Sequence, residues 1–195
     1  MEDLELIREG KILRENLITI RKGELVYKPF KNTPEPVKCE LVKICGIGRE
    51  WQCFFYEGEG KGCTIYDHRP QACRELQCWN TEAVESLVEK DTISRFDIVK
   101  KDQPVYAFIE RHEEQCILPD MFGLYEAALN KSYPETGVFE EVINVDIAIR
   151  TEALNTLKIS LAEELFYFGR PVFQLLQQVG ARVTENGGRL SLVWP

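Results

Sequence analysis

Six cysteines, Cys39, Cys45, Cys53, Cys63, Cys73 and Cys78, fall within forty residues of a 195-residue chain, and only Cys116 lies apart. Thiols at this density can coordinate a metal, pair as disulfides or act as nucleophiles, and their spacing narrows the choice. Successive intervals hold five, seven, nine, nine and four residues, so no C-x-x-C occurs. That removes the commonest zinc-knuckle spacing, the thioredoxin-type redox pair and the bacterial ferredoxin run together. A total of seven argues against a disulfide framework, as does the reducing compartment expected below. What remains is a metal centre gathered from loops, and thiolates suit both zinc and an iron–sulfur cluster. The competing account makes the six small buried hydrophobes. The polar, glycine-rich company they keep weighs against it.

The segments that must position these thiols are weak formers of regular structure. From residue 39 to 66 glycine recurs at Gly46, Gly48, Gly58, Gly60 and Gly62, and neither apolar period holds for more than a few residues. Such a segment buries little apolar surface, so something other than a hydrophobic face must hold it. Structural zinc contributes roughly 10–16 kcal/mol in small peptides, enough to order several loop residues at about 1–2 kcal/mol each. Upstream, residues 1–38 read as a short helix followed by a hairpin in which Leu17, Ile18 and Ile20 turn at Lys22-Gly23 onto Leu25-Val26-Tyr27. Pro29, Pro34 and Pro36 then break regular structure before the first cysteine. Pro70, with Asp67 or His68 near the cap, opens a short helix that carries Cys73. Five residues advance about 140° around a helix, so this one must loosen before Cys78 if both thiols meet one centre.

Beyond residue 80 the pattern becomes helical. Thr81 caps a helix through Lys90, and Pro104 opens another whose stripe is Val105, Ile109, His112 and Cys116 before Pro119 ends it. Asp120 opens a third with Met121, Leu124, Tyr125 and Ala128. Ile143, Val145, Ile147 and Ile149 alternate like a strand, with helical flanks, and stay ambiguous. Ser160 with Glu163 has capping-box spacing, Pro171 to Val179 forms a last helix closed by Gly180, and the tail turns as a hairpin at Asn186-Gly187. The expected fold is α+β and predominantly helical. Residues 1–80 form an N-terminal hairpin and an irregular metal-clamped cysteine-rich lobe, and residues 81–195 a helical lobe ending in a β-hairpin.

The run Cys63-Thr64-Ile65-Tyr66-Asp67-His68-Arg69-Pro70, followed by Cys73-Arg74, resembles the signature of the YkgJ-type cysteine-cluster family, also described as the zinc- or iron-chelating CxxCxxCC domain. The pattern C-x-I-Y-x-x-R-P-x-x-C-R is matched at Cys63, Tyr66, Arg69, Pro70, Cys73 and Arg74, and Cys53 with Phe54-Phe55 fits its middle element. The family's dense first group of cysteines is represented only by Cys39 and Cys45, with no adjacent pair. The resemblance covers about residues 39–80. It implies metal chelation by these cysteines, with an iron–sulfur cluster and zinc as the alternatives. A related branch methylates flagellin lysines, but no S-adenosylmethionine site is legible here and that activity is not carried over.

A formal net charge of −8 with no local run of lysines and arginines argues against nucleic acid as a partner. The N-terminal stretch mixes acids and bases, and nowhere do eighteen apolar residues run together, so neither a membrane span nor export is expected and the chain reads as cytoplasmic. His68, in a turn beside Arg69, reads as a cap or surface residue more readily than a ligand. Arg69 and Arg74 either offset the charge of a thiolate-bound centre or pair with a surface acid such as Glu75. His112 and Cys116, one turn apart, are better explained by packing than as a second half-site, and as a nucleophilic pair they lack a recognisable third orienting group. No catalytic residue is assigned. Three functions are expected to compete: a metal-binding cysteine-cluster protein, with a structural or electron-carrying centre and a protein or redox partner; a cluster-assisted group-transfer enzyme, which needs a cleft beside the centre; and a zinc-shaped interaction module, which needs an exposed apolar patch on the helical lobe.

Overall fold

In the computed structural model, which describes residues 2–27, 32–48, 50–58, 60, 62–77 and 79–195, the chain opens with α1 (Glu2–Arg8). Glu2, Asp3 and Glu5 occupy its first turn, where the helix dipole favours acids. Four strands follow: β1 (Leu17–Ile20), β2 (Leu25–Val26), β3 (Glu35–Pro36) and β4 (Leu41–Ile44). The expected hairpin of β1 with β2 does not form. β1 pairs antiparallel with β4, Leu17 opposite Ile44 and Ile20 opposite Leu41, while β2 pairs with β3. The Lys22-Gly23 turn is made, with Gly23 at φ 92°, but its hydrogen bonds reach Val37: Gly23 N donates to Val37 O and Val37 N donates to Glu24 O, both at 2.9 Å. The reason is burial. Ile18 and Ile20 share an apolar cluster with Val37 and Cys45, which only a return through residues 35–45 supplies. Of the prolines expected to break this region, Pro29 lies outside the described residues, and Pro36 sits within β3.

Two miniature hairpins come next, β5 (Gly46–Ile47) on β6 (Gln52–Cys53) and β7 (Tyr56–Glu57) on β8 (Gly62–Cys63). A 3-10 turn at Tyr66–His68 leads to α2 (Gln71–Glu75), which Pro70 precedes as its N-cap. At Leu76 the backbone is extended, so the helix does end before residue 78 as expected. α3 (Glu82–Leu87) stops short of Lys90, because Glu89 and Asp91 take positive φ of 58° and 47°. No described residue between 46 and 94 is buried.

The helical half is built as its capping signals predict. After α4 (Arg95–Ile98), α5 (Pro104–Gln115) has Pro104 in its first turn and buries Val105, Ile109 and His112. Asp120 caps α6 (Met121–Asn130), its Oδ1 accepting from Gly123 N at 3.0 Å. The ambiguous stretch lies inside α7 (Gly137–Leu157), whose buried face is Ile143, Asp146, Ile149, Arg150 and Ala153. That face has a helical period, but two of its members are charged, so apolar residues alone mimic a strand. Ser160 and Glu163 close the expected capping box at the start of α8 (Leu161–Phe168), and Gly180, at φ 98°, follows α9 (Val172–Gln178). The tail is the hairpin of β9 (Arg182–Asn186) and β10 (Arg189–Val193). Its two-residue loop is Gly187-Gly188, one position later than expected, since φ of 60° and 81° at both suits a type I′ turn best filled by two glycines.

Two cores organise these elements. One joins Ile12 and Leu17 to Ile109, Cys116, Ile149, Phe166 and Phe168; the other joins Met121, Leu124 and Ile143 to Leu175, Leu176 and Leu192. β1 lies against α8, where the Thr19 hydroxyl donates to Phe166 O at 2.5 Å. Gly169 permits this approach, because a Cβ there would come within 2.8 Å of Thr19 O.

Candidate metal centre

Each thiol is delivered by a different short element. Cys45 follows β4 and is buried, its backbone N donating to Asn16 O at 2.8 Å. Cys53 ends β6 opposite Gly46 and is exposed; Cys63 ends β8 opposite Tyr56; Cys73 sits in α2, half-buried. Cys45, Cys53 and Cys73 line one cavity of about 430 Å3, whose other wall is aliphatic: Ile7, Ile12, Leu17, Val42, Ile44 and Ile93. Burial, and then the neighbouring Cys53 and Cys63, hold the Cys73 thiol above its usual range, so these three sulfurs are electrostatic neighbours. Burial raises the Cys45 thiol too, and the Lys43 ammonium opposes that shift. Cys39 stands elsewhere: its Sγ lies 3.7 Å from Thr92 Oγ1, and it does not line the cavity. Cys78 lies outside the described residues.

What holds the thiol-bearing hairpins in place is local. Phe54 N donates to Cys45 O at 3.0 Å and Thr64 N to Phe55 O at 2.9 Å. The Trp51 ring covers Gly46, where any Cβ would collide with it. Arg69 stacks on the Tyr66 ring, 3.7 Å from guanidinium carbon to centroid, and donates to Tyr66 O. Arg74 bonds Arg69 O at 3.1 Å and pairs with Glu2 Oε2 at 2.5 Å, so its partner is a surface acid, although not Glu75. Asp3 of α1 accepts from Gln71 N at 2.9 Å, occupying a free donor at the start of α2. The signature residues therefore brace the element that carries Cys73. His68 is exposed and does not line the cavity.

Among the described residues, the three ligand-type groups that converge within 4.8 Å are not these thiols but His112, Cys116 and Asp146, all 0% exposed. Asp146 is the orienting group that sequence reasoning missed. Its Oδ1 accepts from His112 Nε2 at 2.6 Å and Arg150 Nε at 2.8 Å, and its Oδ2 from Val172 N at 2.9 Å. A Cys, His, Asp set has the composition of a nucleophile, base and orienter. Its chemistry is closed, however. Burial pushes the Cys116 thiol up to about 12 and His112 down to about 4, and no solvent reaches either. Nor does it suit a cation, since both Asp146 oxygens are committed and Arg21 and Arg150 both bear on His112. It is a structural node joining α5, α7 and α9.

This node makes stability pH-dependent. The unfolded chain protonates His112 near pH 6.5 and the folded chain only near 4, so unfolding takes up a proton between those values and stability falls as pH drops through them, by about 3 kcal/mol in all. Asp146, whose pKa is lowered mainly by its bond from His112 and by Arg150, against the opposing effect of burial, acts in the same direction at lower pH. Urea unfolding from pH 7.5 to 4.5 should show this decline, and His112→Asn should flatten it; an equally steep decline in the variant would place the proton elsewhere.

With the geometry in view, comparison with known families is decisive at one level. The CxxCxxCC family, described as a "Putative zinc- or iron-chelating domain", matches residues 13–116, more than half of the chain. The chain belongs to this family. The match is longer than the motif region, extending from just before β1 to Cys116, and so takes in the β1–β4 pair and α5 as well as the thiols. Neither curated proteins nor solved structures give a match. Metal binding, by zinc or iron, is the function this membership supports. Among the described residues no helix is long and apolar enough to cross a membrane.

Proposed function

We propose that the chain holds an iron–sulfur centre on Cys45, Cys53, Cys63 and Cys73, with Cys78 as the remaining candidate, and that the centre is structural or electron-carrying. The observation that supports this is the placement of Cys45, Cys53 and Cys73, from three separate elements, on one cavity, with Cys63 a neighbour of Cys73, beside a stretch from 46 to 94 in which no described residue is buried. Their spacing supports a polynuclear centre. A single tetrahedral zinc, with bonds of about 2.3 Å, holds its sulfurs about 3.8 Å apart, whereas no three described thiols lie within 4.8 Å of one another. A cluster whose ligands sit on separate irons accommodates wider spacing. Protein purified anaerobically should be brown, absorb across the visible and contain iron with inorganic sulfide. Colourless protein with stoichiometric zinc would overturn the iron reading and leave a zinc centre on the same thiols.

A second reading is favoured by the aliphatic wall of the cavity. A centre with one open position would face an apolar space of about 430 Å3, as group transfer requires. Cys39→Ser, Cys45→Ser and Cys78→Ser variants separate the two readings: a cluster lost with either of the latter is closed by protein sulfur, and a cluster retained in all three has a free coordination position.

A further inference from the structure

We propose that the outer edge of β9 is a docking site for an extended, basic peptide segment, which adds to the C-terminal hairpin as a third strand. The proposal is independent of the metal centre and stands on the direction of the hairpin's main-chain groups. Leu190 N donates to Asn144 Oδ1 at 2.9 Å, Asn144 Nδ2 donates to Leu190 O at 2.7 Å, and Leu192 N donates to Glu140 Oε1 at 2.8 Å. The amide groups of Leu190 and Leu192 thus point at α7, away from β9. Leu190 lies opposite Glu185 and Leu192 opposite Val183, and in an antiparallel ladder such opposed residues turn their main-chain groups outward on both strands. The N–H and C=O groups of Val183 and Glu185 therefore face away from β10, and among the described residues no bond to another element takes them up.

The two edges of the hairpin are thus unlike. α7 side chains close the β10 edge as a strand would, and the β9 edge is left as a template. Beside it runs a groove of about 720 Å3 between the hairpin, α7 and α9, with Ile147, Ala148, Phe173 and Val183 among its apolar walls. Among the described residues, its only charged lining residues are acids, Glu152 and Glu185. Glu152 pairs with Arg111 at 2.6 Å, and Glu185 is exposed. Addition of an antiparallel strand places a residue beside Glu185 and, two positions on, another beside Val183. Both point into the groove. The occupant that fits is a segment with a basic residue at the first position and an apolar one at the second, bound mainly through its backbone.

The test uses the full, metal-bound chain and a fluorescein-labelled, amidated peptide, Thr-Lys-Thr-Val-Thr. It should bind at least about fivefold more tightly than Thr-Glu-Thr-Val-Thr, and it should slow amide exchange at Val183 and Glu185 about tenfold or more. Glu185→Pro removes an outward donor while sparing the β9–β10 ladder, and should abolish binding. Glu185→Lys keeps the backbone and should reverse the preference between the peptides. Equal binding of both peptides, failure of the lysine peptide to bind, or unchanged binding by Glu185→Pro overturns the proposal. So does protection of the two amides in the free protein with concentration-dependent dimerisation, since a second copy would then cover the edge.

Discussion

Replacing Asp146 by alanine is expected to be the most damaging single change in the helical half of the chain, costing about 3–5 kcal/mol. One carboxylate satisfies three donors from three elements: His112 of α5, Arg150 one turn along α7, and Val172 N at the start of α9. The variant leaves the Arg150 charge, 2% exposed, with one acidic partner, Glu164 at 2.9 Å, and the Phe168 and Gly169 carbonyls. It also strands a buried imidazole N–H and a helix N-terminal N–H, each a desolvation cost of about 1–3 kcal/mol. Asp146→Asn keeps the shape but turns a donor towards at least one of these three, and should fall between wild type and Asp146→Ala. A natural domain has only about 5–15 kcal/mol in total, so the alanine variant should be close to unfolding at 37 °C. Urea midpoints at constant slope measure the loss. Glu152→Ala removes an exposed pair with Arg111 and should shift the midpoint little. If Asp146→Ala costs no more than Glu152→Ala, the node does not hold the three helices.

The same node shows what sequence reasoning could and could not reach. Helix starts were legible where one residue type acts locally: Pro104, Asp120 and the Ser160–Glu163 box each mark an observed N-terminus. The cysteine region was legible because six thiols in a glycine-rich stretch have few other uses, and because the signature from Cys63 to Arg74 is specific. The fully buried acids and bases were not legible. Glu24, Arg95, Asp146 and Arg150 are all almost wholly buried, yet each reads as a solvent-facing residue until its partners are known, and beyond the Asp146–Arg150 pair one turn apart on α7 those partners are remote. Glu24 meets Arg170 at 2.8 Å, and Arg95 meets Glu113 and Glu40. Strand pairing failed for a related reason. β2 follows β1 closely, but the buried apolar partners of Ile18 and Ile20 are Val37 and Cys45, and burial outweighs proximity in sequence.

Stripping the metal should melt residues 46–77 and leave the helical core standing. No described residue in that stretch is buried, its strands are two residues long, and large apolar side chains face solvent there, Tyr56 and Tyr66 among them. Two-residue hairpins of this kind have no stability of their own in water. At the proposed centre coordination would supply what the missing core does not, and it would act on the folded arrangement alone, so metal binding and ordering of the hairpins would be one event. In the stripped protein, amides of β5 to β8 and α2 should exchange about a hundredfold faster or more, while those of α5, α7 and α8, packed around Ile109, Ile149 and Phe166, keep their protection. Cys73→Ser should reproduce this with metal supplied, because Cys73 joins the cavity edge to the neighbouring Cys53 and Cys63. Cys39→Ser should not, since its sulfur lies against the Thr92 hydroxyl and is not among the thiols that line the cavity. Unchanged exchange across residues 46–77 after complete metal removal would show that these loops are held by something other than their sulfurs.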